Sequence, residues 1–258
     1  KNNGKTNFEK LEYIYSMVRH DSKYIQGKSK NNVYNVLCNK NGTCTGFSRS
    51  LKYICDEMGI PCVVARGTVG NSNEKHMWNI VKLNGQWFIC DITNELKNNS
   101  STNQFFAIAD KGKYKQEMPT SYLNKTMNFK YPEVSNHEGI FNARYYADNN
   151  KDVFEAYGYD DEKLYNHYIN YGLKEGRRCS PVYDPIYYYN KYTDLQKAFG
   201  NDYTKLYNHF VIYGMKEGRQ ASDIFDVKEY KNQNSEIVEL FGDDLERYYS
   251  YFSQYSTL

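Results

Sequence analysis

Residues 76–91 read His76-Met77-Trp78-Asn79-Ile80-Val81-Lys82-Leu83-Asn84-Gly85-Gln86-Trp87-Phe88-Ile89-Cys90-Asp91. Two runs rich in β-branched and aromatic residues flank Asn84-Gly85, a strong signal for a two-residue hairpin turn. Such a turn pairs Leu83 with Gln86, and the ladder then sets Trp78 opposite Asp91. His76 lies two residues along from Trp78, so it points to the same face. His76 and Asp91 become diagonal neighbours, roughly 7–8 Å apart at the backbone. Ile80 and Trp87 share their face, while Met77, Val81, Phe88 and Ile92 point the other way and are expected to form core. A slip of one residue would separate His76 from Asp91.

An imidazole beside a carboxylate gains chemical meaning from a nearby nucleophile, and Cys44 is the candidate. It stands in Asn41-Gly42-Thr43-Cys44-Thr45-Gly46-Phe47-Ser48. Phe47, Leu51, Ile54, Cys55 and Met58 recur at helical spacing, and Gly59 supplies a C′ stop. Cys44 therefore falls in the first turn of this helix, where the dipole and unpaired amides favour thiolate. Those amides also suit a tetrahedral oxyanion, and Gly42 and Gly46 allow close approach of a substrate. Thiol, imidazole and carboxylate are the parts of a nucleophilic acyl-transfer site. Cys44 would attack an amide carbonyl, His76 would protonate the leaving amine and activate the acceptor, and Asp91 would orient His76. Water as acceptor gives hydrolysis or deamidation, and a lysine amine gives cross-linking. No cofactor is expected.

The surrounding sequence predicts an α+β domain, helices packed on an antiparallel sheet. Phe8, Leu11, Ile14, Tyr15 and Val18 mark an amphipathic first helix. Cys62–Gly67 reads as a strand after Pro61, and Gln104–Ile108 as a shorter strand after a Ser/Asn-rich loop. Near Tyr131-Pro132 to Gly139 the pattern changes. Tyr146, Tyr188 and Tyr230 recur every 42 residues, as do Gly158, Gly200 and Gly242. Tyr171-Gly172-Leu173-Lys174-Glu175-Gly176-Arg177 returns as Tyr213-Gly214-Met215-Lys216-Glu217-Gly218-Arg219. A fixed period of this length indicates stacked units. The expected organisation is a catalytic domain over 1–135 and an all-α repeat domain over 136–258, in three copies with the last truncated. Pro185, Gly200 and Asp202 bracket its helices.

Formal charge is only +2, so no basic footprint for nucleic acid exists. No apolar run is long enough for a membrane span. The 28 Tyr crowd the second half, where amphipathic helix packing accounts for them best. Cys38, Cys44, Cys55, Cys62, Cys90 and Cys179 lack the spacing of a disulfide scaffold. Cys55 and Cys90 fall on apolar faces and read as packing, whereas glycines flank Cys44. No Cys-x-x-Cys or His-x-x-x-His pair suggests a metal. His167 and His209 occupy matching repeat positions, with Tyr251 at the third, which points to packing or a hydrogen bond.

Five short tracts carry a family resemblance: Gly42-Thr43-Cys44-Thr45-Gly46-Phe47-Ser48, Met58-Gly59-Ile60-Pro61, His76-Met77-Trp78-Asn79, Gly85-Gln86-Trp87-Phe88 and Asp91-Ile92-Thr93. Together, over residues 8–110, they resemble the transglutaminase-like superfamily. The resemblance implies a papain-like core with Cys44 as nucleophile, His76 as general base and acid, and Asp91 as orienting acid. It implies a protein or peptide substrate and suggests Tyr24, Gln26 or Trp78 for oxyanion support or substrate positioning. Two departures stand out, Asn94 where the family often has Trp and Met77 where it often has Ala, and neither is expected to touch the triad. The repeats resemble those of bacterial surface proteins, implying a secreted or cell-surface protein with a cell-wall or surface partner. The rival reading is an inactive binding module that docks through the tyrosine-rich repeats.

Overall fold

The computed structural model describes residues 4–98, 102–118 and 129–256. The chain divides into two compact units. One spans Asn7–Asn136, and the other begins at His137 and includes Gly4–Thr6.

The first unit is mixed helix and sheet. Helix α1 (Asn7–Asp21) buries Phe8, Leu11 and Tyr15, the stripe its spacing predicts. Strand β1 (Lys23–Tyr24) pairs in parallel with β2 (Asn41–Gly42), which sets Tyr24 level with Gly42. Between them, α2 (Val33–Leu37) is capped by the Asn32 side chain. Helix α3 (Cys44–Glu57) starts at an N-cap, Thr43, whose side chain accepts from the Gly46 amide. It stops at Gly59, whose φ of +68° is the left-handed stop expected of glycine.

Four strands follow: β3 (Cys62–Val69), β4 (His76–Leu83), β5 (Gln86–Cys90) and β6 (Tyr114–Gln116), in the antiparallel order β5-β4-β3-β6. The hairpin register is the expected one, with Leu83 opposite Gln86 and Asn79 opposite Cys90. Strand β5 ends at Cys90. Asp91 then turns out of the sheet and caps α4 (Ile92–Lys97), accepting from the Asn94 amide.

Both faces of this sheet are buried. One carries Val81, Leu83, Phe88 and Cys90 against Phe8, Leu11, Phe47 and Leu51 of the helices. The other carries Ala65, Trp78, Ile80 and Ile89 against Ile108 and Tyr114. Met77, expected in the core, is only half-buried and belongs to neither cluster. The strand expected over 104–108 does not form. Those residues turn, Ala107 takes a φ of +52°, and only Ile108 bridges to Ile89. Phe106 thereby enters the first cluster and Ile108 the second. An apolar run here serves two cores rather than one pleated face.

In the second unit, helices start at corresponding points 42 residues apart: Ala143–Asp148, Pro185–Lys191 and Val227–Gln233. Asn142, Asp184 and Asp226 cap them through side-chain oxygens. The segments Asp161–His167 and Tyr203–His209 run directly into π-helical turns, Tyr168–Gly172 and Phe210–Gly214. Gly172 and Gly214 thus lie within widened helix rather than ending it. A Cβ on Gly214 would come within 2.6 Å of the Tyr188 hydroxyl, and one on Gly172 within 3.2 Å of Tyr146 Cζ. These phenols contact His209 and His167 at 3.0 and 2.9 Å.

Gly67 of β3 has a parallel role in the first unit. It faces both His76 and Gln116 across the sheet, and an added Cβ would fall on the Lys115 carbonyl oxygen and 3.1 Å from the Trp78 ring. Gly67→Ala should therefore push β6 off the sheet and destabilise this unit by about 1–3 kcal/mol. Trp78 and Trp87 are the chain's two tryptophans, so the urea midpoint of their fluorescence reads this unit selectively.

Candidate active site

Three elements converge on the site. Cys44 is the first residue of α3 and is partly exposed. His76 is the first residue of β4 and is buried, and Asp91 is buried more deeply at the mouth of α4. His76 Nε2 contacts Asp91 Oδ2 at 2.8 Å. With Nε2 committed to the carboxylate, Nδ1 is left for the Cys44 thiol, and the two groups act on each other's pKa. The structure therefore brings Cys44, His76 and Asp91 together, in the order thiol, imidazole, carboxylate.

Electrostatics favours an ion pair between the first two. Burial opposes charge on His76, but the Asp91 hydrogen bond, then that of Cys44, and their negative charges outweigh it. The imidazole pKa rises from 6.5 to about 9. Burial likewise opposes a Cys44 thiolate. The His76 hydrogen bond and charge, the Met77 backbone amide and the Thr45 side chain overcome it, and the thiol falls below its ordinary 9.0.

The residues around the three correct part of the sequence reading. Met77 and Asn94, expected to stay clear of the triad, both touch it. The Met77 backbone is among the influences that lower the Cys44 thiol, and Thr45 Oγ1 donates to Met77 Sδ at 3.2 Å. Asn94 Nδ2 donates to Asp91 Oδ2 at 2.7 Å, and its backbone amide donates to Oδ1 at 3.1 Å. A further partner comes from β6: the Tyr114 hydroxyl donates to Asp91 Oδ2 at 3.1 Å. Tyr114 carries no sequence signal, since β6 is three residues long and lies 23 residues beyond Asp91. The Asn94 contact was legible in principle, as a side chain in the first turn after a capping aspartate.

Trp78 is fully buried. Its ring lies 6.1 Å from that of His76 in a stacked arrangement and 5.0 Å from Tyr114 edge-on. It forms the floor under the imidazole and has no surface for a substrate. Tyr24 is half-buried at the end of β1 with Lys97 Nζ 4.8 Å over its ring, and Gln26 is exposed in the loop that follows. Neither hydrogen-bonds Cys44, His76 or Asp91 among the described residues. Among those residues no group of three His, Cys, Asp or Glu could hold a metal ion, and no helix is long and apolar enough to cross a membrane.

Residues 1–92 match the family described as the transglutaminase-like superfamily. The N-terminal region carries a transglutaminase-like domain. No curated protein matches the chain. Among solved structures, the chain is similar to the crystal structure of a TGase, with 16% identity over 34% of this chain and 27% of that one, at a TM-score of 0.31. It is also similar to a putative cysteine protease from Cytophaga hutchinsonii, with 21% identity over 36% of this chain and 33% of that one, at a TM-score of 0.32. The chain thus spans a third or less of the length of each.

The two shifts set a pH window for the ion pair. Thiolate forms as pH rises through the lowered Cys44 value, and imidazolium persists until about 9. Cys44 in the transglutaminase-like domain should therefore react with iodoacetamide well below pH 9. In His76→Gln the hydrogen bond and positive charge are gone, and the thiol returns toward its ordinary value. Alkylation at pH 7, followed by mass spectrometry of the Cys44 peptide, should slow about tenfold or more.

Proposed function

We propose that the transglutaminase-like domain is a thiol acyl-transfer enzyme acting on protein or peptide amide bonds. The reading rests on one observation: Cys44 meets an imidazole whose far nitrogen is held by a buried carboxylate at 2.8 Å. The Cys44 thiolate attacks the amide carbonyl and forms a tetrahedral intermediate. Its oxyanion lies at the mouth of α3, where amide dipoles favour negative charge. As the intermediate collapses, the C–N bond breaks, the His76 imidazolium gives its proton to the departing amine, and a thioester remains on Cys44. His76, now neutral, takes a proton from the acceptor, which attacks the thioester and expels the thiolate. Asp91 keeps the imidazole in the required tautomer throughout.

Tyr24 is the candidate for an additional oxyanion donor, since β1–β2 pairing sets it level with Gly42, two residues before the thiol. Gln26 is the alternative from the same segment. Partial exposure of Cys44 suits a substrate that approaches as a chain rather than one enclosed in a cavity.

The test is mass spectrometry of a glutamine-containing peptide incubated with the protein and a primary amine. Amine addition, deamidation and backbone cleavage give different masses and identify the acceptor. Cys44→Ala should abolish every product. Asp91→Asn should lower the rate by about a thousandfold, because the amide misorients His76. Undiminished turnover by Cys44→Ala would sink the proposal.

A further inference from the structure

The Asp91 carboxylate is shared more widely than an orienting acid requires. Its Oδ2 atom meets three groups: His76 Nε2, Asn94 Nδ2 and the Tyr114 hydroxyl, at 2.8, 2.7 and 3.1 Å. Asn94 Nδ2 also lies 3.3 Å from the Tyr114 oxygen. Asn94, Tyr114 and Asp91 thus close a three-membered ring of hydrogen bonds: the amide donates to both oxygens and the phenol to the carboxylate. Each partner of Oδ2 is a donor, and Oδ1 accepts from the Asn94 backbone. That is an environment for an ionised carboxylate.

Several features keep this ring in place. Burial first, and the adjacent Asp91 charge next, push the Tyr114 phenol far above its ordinary range, so it stays a donor. Its ring packs edge-on against Trp78, the floor under His76. Gly67 lets β6, which carries Tyr114, approach the sheet. The titratable groups facing this cluster are Cys44 from α3, Glu95 from α4, Tyr15 from α1 and Cys90 from β5.

We propose that Tyr114 and Asn94 are positioning residues that divide the Asp91 carboxylate between themselves and His76, and so set the alkaline limit of the Cys44–His76 ion pair. The proposal rests on the acyl-transfer reading of the same site. Donors to a carboxylate stabilise its charge and weaken it as an acceptor toward any remaining partner. With all three in place, the support reaching the imidazolium is tempered. When one is removed, the carboxylate turns more fully to His76, and the imidazolium survives to higher pH. An ion pair held too tightly also makes His76 a poorer acid toward the leaving amine. The ring therefore tunes proton transfer without touching the substrate.

The experiment is an NMR titration of the His76 ring proton in the full chain, with His76→Gln used for assignment and alkylation of Cys44 followed in parallel. Tyr114→Phe keeps the ring contact with Trp78 and loses only the hydroxyl. Its His76 midpoint should rise by about half a pH unit or more, with unchanged circular dichroism. Asn94→Ala should move it the same way and decides the matter if Tyr114→Phe does not fold. Tyr131→Phe removes a hydroxyl that donates to the Glu117 carbonyl outside the ring, and should leave the midpoint alone. An unmoved or lowered midpoint in folded Tyr114→Phe and Asn94→Ala, with a high value in the parent, overturns this proposal alone. A parent in which His76 titrates near 6.5 and Cys44 behaves as an ordinary thiol removes the acyl-transfer reading as well.

Discussion

The Leu83–Gln86 pairing across Asn84-Gly85 fixes the phase of the β4–β5 ladder, and the candidate site depends on that phase. Side chains alternate along a strand, so a slip of one residue exchanges the two faces. Here a slip would send His76 into the helix-covered core and leave Asp91 on the far side. Burial of both faces makes such an error costly, because Trp78 and Ile80 fill one cluster while Val81 and Leu83 fill the other. The packing that stabilises the sheet therefore also fixes the face on which His76 stands and the point, after Cys90, at which Asp91 leaves the ladder.

Asp91 joins this ladder to the next element. Its Oδ1 caps α4 and its Oδ2 takes His76. The two obvious roles for an aspartate at that position, helix cap and partner of a histidine, are filled at once by different oxygens. The carboxylate gains rigidity from the cap, which fixes the direction in which the second oxygen points. Thr43 does similar work at α3 by accepting from Gly46, so the residue after it, Cys44, opens the helix with its sulfur toward β4.

What was legible in the sequence follows from the range of each signal. The hairpin turn and the helix stop at Gly59 are local and periodic, and they are found where expected. His76 and Asp91 also meet, but the expected Trp78–Asp91 pairing does not form, because Asp91 leaves the ladder after Cys90 to cap α4. Tyr114 was not legible. It reaches Asp91 through a strand of three residues whose place in the sheet depends on Gly67, far away in sequence. The run 104–108 misleads for a related reason: its apolar residues split between two clusters, and the positive φ of Ala107 breaks the pleat that alternation implies. In the second unit, Gly172 and Gly214 lie within π-helical turns. They are glycines because a tyrosine hydroxyl occupies the volume a Cβ would need, a constraint that no local pattern expresses. The tyrosine excess has the same origin. Tyr146, Tyr168, Tyr183 and Tyr188 are fully buried, so these phenols build the core of the second unit.

The six cysteines show how far position, rather than residue type, decides chemistry. All are free thiols. Cys90 and Cys179 are pushed upward by burial, Cys179 to about 12. Cys55 rises first through its hydrogen bond with Cys62 and then through burial. These three are buried and held in the thiol form, which suits packing. Cys44 meets the same penalty, since burial is the largest single influence on it too, yet its pKa ends lower than ordinary. What reverses the sign is a set of groups on two elements, His76 and then Met77 on β4 and Thr45 on α3, with the Asp91 carboxylate at the head of α4 behind the imidazole. A thiol moved one turn along α3 would lose the imidazole and keep the desolvation. The reactive character of Cys44 is therefore a property of where the helix begins relative to the hairpin.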